Sequence, residues 1–101
     1  MTTPHDSPEA ERQRDIELIE ACYAFPGDFP VSVIARSDQA VVDAIVAAAT
    51  AEGRALSAHE RQPSSGGKYI SHRLQVRVGS ATEAHALRMA LRALDGVMTV
   101  L

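Results

Sequence analysis

The stretch that decides the fold is YISHRLQVRV, residues 69–78. Apolar and polar side chains alternate along it, which is the period of a β-strand with one face on a core and the other toward solvent. A strand of this kind is typical of an antiparallel sheet that is covered on one side only. The core-facing series is Ile70, Leu74, Val76 and Val78.

Downstream of this strand the sequence predicts a helix and a final strand. Ser80 and Glu83 make the S-x-x-E pattern of a capping box, which marks the start of a helix. Leucines then recur at helical spacing, and Gly96 is placed to end the helix. Residues 97–101, VMTVL, are apolar and favour a short closing strand.

Upstream, the sequence predicts a strand, a helix and a weaker strand. Phe29–Arg36 alternates with one better-buried face. Ser37 or Asp38 can cap the next helix, whose valines and alanines keep the helical period as far as Gly53. Residues 54–62 alternate only weakly, which indicates a strand at the edge of the sheet.

The N-terminal part is polar at first and becomes amphipathic later. We predict a flexible lead over residues 1–14, within which Ser7 and Pro8 have the pattern of a helix start. The segment FPGDFP, residues 25–30, ends a short helix because its prolines and glycine break regular structure. The apolar stripe of that helix is Ile16, Ile19 and Tyr23.

After the N-terminal helix the predicted order is β-α-β-β-α-β, which is typical of the ferredoxin-like α+β fold. This order predicts a four-stranded antiparallel sheet with two helices on one face. We expect the first and third strands at the centre, because they are the most apolar, and one domain over residues 15–101.

Composition narrows the class of protein. Hydrophobic residues make up 46% of the 101 residues, enough for one modest core, and the formal charge is −3. A weakly acidic chain lacks the field that drives nonspecific binding to nucleic acid, so we expect no such partner. Cys22 is the only cysteine, which excludes an intrachain disulfide and favours the cytoplasm. No apolar run reaches the length of a membrane span.

Three motifs give the chain a family resemblance. FPGDFP at residues 25–30, PSSGGKY at residues 63–69 and MTVL at residues 98–101 occur in the order seen in the YbeD-like family. The chain resembles this group of small bacterial proteins of unknown function. The resemblance implies a ferredoxin-like fold, similar to that of ACT regulatory domains, and no known activity. The chain departs from the family pattern at Ser32 and Ala35, where a lysine and a glycine are expected.

The Gly-rich turn is the most distinctive of these motifs. Its hydroxyls, glycines and lysine can cradle an anion with backbone N–H groups. The alternative is a plain hairpin turn, in which the glycines supply a positive φ. The candidate ligand-binding residues are Ser64, Ser65, Gly67, Lys68 and Tyr69.

A second candidate surface is the polar face of the sheet. An RNA-binding sheet needs two or three stacking aromatic side chains, and here only Tyr69 is available. We therefore expect a solvated face or one that is covered by a partner. Its candidate residues are Arg73, Gln75 and Arg77, with Arg61 and His59 as further members.

The strand register decides whether His59 and His72 form a metal site. Pairing Leu56 with Val76 keeps the apolar side chains on the core face. This register places the two histidines on opposite faces of the sheet, so we expect no metal site and no cofactor.

These observations favour a non-enzymatic binding or regulatory module without catalytic residues, because no candidate nucleophile has a base and an orienting group. The first hypothesis is an ACT-like sensor of a small metabolite. The alternative is a protein-interaction adaptor that uses the open sheet face, and a weak RNA-binding protein is third. Exposed edge strands would suit a homodimer.

Overall fold

The computed structural model describes residues 7–101 as an α+β structure with three α-helices and a four-stranded antiparallel sheet. None of the helices in this range is long and apolar enough to cross a membrane. The elements in chain order are helix α1 (Pro8–Cys22), strand β1 (Gly27–Arg36), helix α2 (Gln39–Ala49), a 3-10 helix (Ala51–Gly53), strand β2 (Leu56–Pro63), strand β3 (Tyr69–Val78), helix α3 (Ala81–Arg92) and strand β4 (Val97–Val100).

The strands lie side by side in the order β2-β3-β1-β4, each antiparallel to its neighbours. The long apolar strands β1 and β3 are therefore central, as the sequence predicted, and they pair with Val33 opposite His72. On its other side β1 meets the end of the chain, where Ser32 exchanges two backbone hydrogen bonds with Leu101. Beyond that point the edge of β1 is protected by Pro30, which has no N–H to offer another strand.

One face of the sheet carries the hydrophobic core. Every second residue of β1 from Phe29 to Ala35 is buried, because successive side chains of a strand point to opposite faces. Helices α1, α2 and α3 pack apolar residues into the same cluster, among them Ile19, Ile45 and Leu91. The helices thus cover one face and leave the opposite face of the sheet to solvent.

Helix α1 begins where the pattern of Ser7 and Pro8 predicted, inside the segment that was assigned to a flexible lead. Ser7 caps it by accepting a hydrogen bond from the N–H of Ala10 at 3.1 Å, and Pro8 is its first residue. Residues 8–14, which their polarity assigned to a flexible lead, are the first turns of α1, because a capped surface helix needs few apolar residues there. Residues 1–6 of the predicted lead lie outside the described residues.

Strand β2 contains a β-bulge that the sequence did not reveal. Leu56 faces Val76 as expected, but Ala58 then faces Gln75, so that Ser57 is the extra residue. The hydroxyl of Ser57 lies 3.0 Å from the backbone oxygen of Gln75 and 3.1 Å from the Asp28 carboxylate. These contacts hold the extra residue on the uncovered face.

The bulge corrects the predicted position of two histidines. It shifts the later residues of β2 by one, so that His59 faces Leu74 and Arg61 faces His72. The prediction that His59 and His72 lie on opposite faces is therefore wrong, since both lie on the helix-covered side. For the same reason His59 and Arg61 are not members of the open face.

Helix α3 begins with side-chain caps at two successive residues. The hydroxyl of Ser80 accepts from the N–H of Glu83 at 3.1 Å. The Glu83 carboxylate accepts from the N–H of Gly79 at 2.7 Å, one residue before the position a capping box predicts.

We expect Ser80→Ala to lower the free energy of unfolding by about 1 kcal/mol, because an orphan N–H loses its acceptor. Thr82→Ala is the control, since Thr82 lies in the same turn, is exposed and has no hydrogen bond of this kind. It should change stability by no more than about 0.5 kcal/mol. Urea denaturation followed by circular dichroism measures both, and equal losses would contradict the role of the cap.

Candidate functional site

The candidate functional site is the uncovered side of the sheet, which we call the open face. It consists of the even-numbered residues of β1, the odd-numbered residues of β3, and the residues of β2 that pair with those odd-numbered residues, which are Ala58, Glu60 and Gln62. Most of these side chains are polar and exposed. The register aligns Ser32, Arg73 and Glu60 in one row across three adjacent strands.

A hollow of about 310 Å³ lies in the middle of the open face, and we call it the central hollow. It forms where β1 and β3 contribute the short side chains of Ser32 and Ser71. Ile34 and Leu101 line it from the β1 and β4 side. Leu101 is 69% exposed, so this border presents apolar surface to solvent. The central hollow therefore combines a hydroxyl-lined floor with an apolar wall.

Arg73 is the charged residue that the central strand β3 places in this hollow. Within residues 7–101 its guanidinium makes no ion pair or hydrogen bond, although Glu60 lies opposite it on β2. Glu60 also lines the hollow, but the unpaired guanidinium of Arg73 still offers several N–H donors to a second carboxylate. The central hollow can thus bind an acidic group beside an apolar one.

The structure places Arg73, Gln75 and Arg77 on the open face, where the alternation of β3 predicted them. It does not bring all three together. Gln75 lines a second, adjacent hollow of about 270 Å³, and Arg77 lies beyond both, near the start of β2. Sequence reasoning missed Ile34, which the alternation of β1 could have indicated, and Leu101, for which the sequence held no signal.

The Gly-rich turn joins β2 to β3, with its candidate residues at or near the tip of this hairpin. The N–H groups of Ser64, Gly67 and Tyr69 all donate inside the turn, to acceptors 2.9–3.2 Å away. Gly67 has φ of +74°, as a turn requires. Ser65 and Lys68 are exposed there, and the Lys68 carbonyl accepts from the N–H of Ser37 at 2.9 Å.

These contacts favour the hairpin interpretation of the turn over an anion nest. A nest needs several successive N–H groups that point outward, and the bonds inside the turn already use three of them. Tyr69 is the one member that reaches the open face, at the end of β3 next to the hairpin. The role of the five turn residues in ligand binding stays a prediction.

The two histidines meet on the helix-covered side, away from the open face. Nε2 of His59 lies 2.9 Å from Nδ1 of His72, whose side chain is fully buried and whose Nε2 has no partner in the structure described. Burial lowers the pKa of His72, and the nearby His59 and Arg61 lower it further. Burial and then Arg61 lower the pKa of His59.

The histidine pair lacks the further ligands of a metal centre. Within residues 7–101 no group of three or more His, Cys, Asp or Glu side chains is arranged to hold a metal ion. The positive charge of Arg61 beside the pair also disfavours a cation. The pair is best described as a buried neutral contact.

Most of the chain matches one protein family. The sequence model of the family described as "Protein of unknown function (DUF493)" covers residues 20–101. This is the family of the YbeD-like proteins, so the resemblance seen in the three motifs is confirmed. No curated protein matches the chain.

Proposed function

The chain belongs to the DUF493 family, and because that family has no described activity, we propose from the geometry of the open face that the protein is a non-enzymatic interaction adaptor. The observation that carries this proposal is the unpaired Arg73 in the central hollow. The hollow lies across the central strands β1 and β3 and the adjacent part of β2. An uncovered, chemically mixed surface on a sheet suits the docking of another protein.

The size of the central hollow favours a protein partner over a small metabolite. Small-molecule sites have volumes of about 300–1,000 Å³. The hollow of about 310 Å³ is at the lower limit of this range. A protein partner can cover the hollow and its neighbour of about 270 Å³ together. The ACT-like sensor stays a prediction that these contacts do not favour.

The partner that this surface fits presents an acidic side chain next to an apolar one. The acidic group would pair with Arg73, and the apolar group would contact Ile34 and Leu101. Arg77 extends the positive charge along the same strand. Charge of this kind selects the partner and its orientation more than it adds affinity, while the apolar contact adds affinity.

The arrangement of the elements supports a ferredoxin-like fold for this adaptor. After α1 the elements run β-α-β-β-α-β, and the strand order β2-β3-β1-β4 places the first and third strands at the centre. This is the arrangement that the resemblance to ACT-type domains implies. A regulatory role, a cytoplasmic location and a homodimer stay predictions.

Arg73→Glu tests the proposed function. The protein is used as bait, its partner is identified by mass spectrometry, and the purified pair is measured by titration calorimetry. We expect the Kd to rise at least about tenfold, or 1.4 kcal/mol, because the acidic group of the partner then meets a carboxylate. Arg77→Glu is the matched control, since it makes the same charge change on the same strand and face but outside the central hollow.

Arg77→Glu should change the Kd by no more than about threefold, as expected of a charge at the rim. Circular dichroism and thermal unfolding verify that both variants keep the fold. Equal binding by Arg73→Glu and the parent would refute the adaptor hypothesis for this face. An equal rise of the Kd in both variants would show that binding depends on the overall charge of the strand and not on the central hollow.

A further inference from the structure

The side of the protein opposite the open face contains a clasp between α1 and α3. Oδ2 of Asp15 lies 2.5 Å from Nδ1 of His85, and Oδ1 of Asp15 accepts from Arg88 at 3.2 Å. Arg88 in turn stacks 5.2 Å above the ring of Phe29. The carboxylate of Asp15 on α1 therefore binds two side chains of α3. One of these two, Arg88, also contacts the core residue Phe29.

Next to this clasp the two helices border a groove of about 650 Å³, which we call the helix groove. This volume lies within the range of about 300–1,000 Å³ that small-molecule sites occupy. The groove is larger than the two hollows of about 310 and 270 Å³ on the open face. It runs along the first turns of α1 and the second half of α3, between residues 8–15 and 85–92.

His85 presents an unused nitrogen to the helix groove. His85 is 8% exposed and lines the groove, and its Nδ1 is in contact with Asp15. Its Nε2 has no partner within residues 7–101 and is not sealed from solvent. A carboxylate on one nitrogen fixes the ring orientation and, in the neutral ring, keeps the proton on that side. Nε2 is then a fixed hydrogen-bond acceptor.

The rest of the lining combines apolar side chains with charged ones. Met89 is 40% exposed within the groove, and a methionine adapts its shape to an apolar ligand. Arg12 on α1 and Arg92 on α3 line the groove without a carboxylate partner in the part of the chain described. Nη2 of Arg92 donates to the backbone oxygen of Val100 at 3.4 Å, which leaves its other N–H groups for a ligand. The lining also contains Glu11, a carboxylate that is not paired with a cation within residues 7–101. Because two arginines outweigh this one carboxylate, the groove favours an anion.

We propose that the helix groove binds a small hydroxy acid with an apolar body. The carboxylate of the ligand pairs with Arg12 and Arg92, its apolar body lies on Met89, and its hydroxyl donates to Nε2 of His85. This site is separate from the open face, because the sheet lies between them. The inference therefore does not depend on the adaptor hypothesis.

Three related compounds test this assignment on the full chain by NMR titration at pH 8. 4-Hydroxyphenylacetate carries all three features and should shift the amide signals of the groove residues. Phenylacetate lacks the hydroxyl and should bind about 2–10-fold more weakly. Tyramine has the same ring and hydroxyl but a positive charge, and should bind at least about tenfold more weakly.

Variants on exposed positions of α3 locate the site without disturbing the clasp. Met89→Glu places a carboxylate in the groove and should weaken 4-hydroxyphenylacetate at least about tenfold. Ala90→Glu is its matched control, because Ala90 is exposed on the same helix but does not line the groove. It should leave the affinity within about twofold of the parent.

The outcomes that would overturn the proposal are equally specific. The first is the absence of groove shifts with 4-hydroxyphenylacetate at about 10 mM, roughly ten times a Kd of 1 mM. The others are equal binding of tyramine and equal effects of Met89→Glu and Ala90→Glu. Arg73→Glu on the open face should leave this titration unchanged, which separates failure here from failure of the adaptor hypothesis.

Discussion

A protein carrying Gly96→Ala is expected to be less stable than the parent by roughly 2–5 kcal/mol. Gly96 has φ of +88°, which disfavours any residue with a β-carbon. A β-carbon there would also lie 2.6 Å from Cγ2 of Val41 and 3.2 Å from Nη2 of Arg36. Val41 is buried in α2, so the clash cannot be relieved by a side-chain rotation alone.

Gly53→Ala separates the two causes of this loss. Gly53 has φ of +78°, close to that of Gly96, but no heavy atom lies within 4 Å of the position its β-carbon would take. Gly53→Ala should therefore cost only the conformational strain, about 1–2 kcal/mol. Urea unfolding of both variants gives the difference, and equal losses would show that the close approach to Val41 does not matter.

The position of Gly96 also connects stability to the open face. Its carbonyl accepts from the N–H of Arg36 at 2.8 Å, which fixes the start of β4 against the end of β1. From there β4 continues to Leu101, which borders the central hollow. We therefore expect Gly96→Ala to perturb the NMR signals of Leu101 as well, while Gly53→Ala leaves them in place.

The sequence predicted those features that depend on neighbours along the chain. The alternation of residues 69–78 gave β3 and the outward direction of Arg73, because side-chain direction in a strand has a period of two. Asp38 caps α2 through the N–H of Ala40, and Ser80 caps α3, because a cap needs only a short polar side chain next to a helical pattern. Local chemistry determines each of these.

The features that the sequence did not reveal depend on residues that lie far apart in it. The bulge at Ser57 rests on Asp28, which is 29 positions away, and the clasp of Asp15 and His85 spans 70 positions. No local pattern records such contacts. The register of β2 was therefore wrong by one residue after Leu56, and both sites proposed here became visible only with the structure.

The second large effect is expected at the residue that this register error concealed. His72→Leu should raise the free energy of unfolding at pH 7.5 by about 1–3 kcal/mol, because it removes a buried Nε2 that has no partner. Leucine has nearly the volume of histidine and suits the apolar face of β3. His59 is only half-buried, so water can replace its contact with His72.

The same substitution should also remove an acid sensitivity of the parent. Burial, His59 and Arg61 lower the pKa of His72 below its ordinary value of 6.5. Just below pH 6.5 the unfolded chain therefore binds a proton at this residue more readily than the folded state does. The contribution of neutral His72 to the free energy of unfolding of the parent is therefore fully present above pH 6.5. It is lost as the pH falls from 6.5 through the lowered pKa of the folded state. Unfolding by urea at pH 7.5, 6.5 and 5.5 measures this loss in both proteins.

His72→Leu should keep its advantage at pH 7.5 and increase it at pH 5.5, because the parent alone must keep a buried ring neutral there. His59 has a lowered pKa of its own, from burial and from Arg61, so the variant retains a smaller part of the acid sensitivity. If the difference in the free energy of unfolding between the two proteins does not change with pH, a group other than His72 causes the loss of stability in acid. A variant that is less stable than the parent at pH 7.5 would mean that the contact with His59 outweighs the unpaired nitrogen.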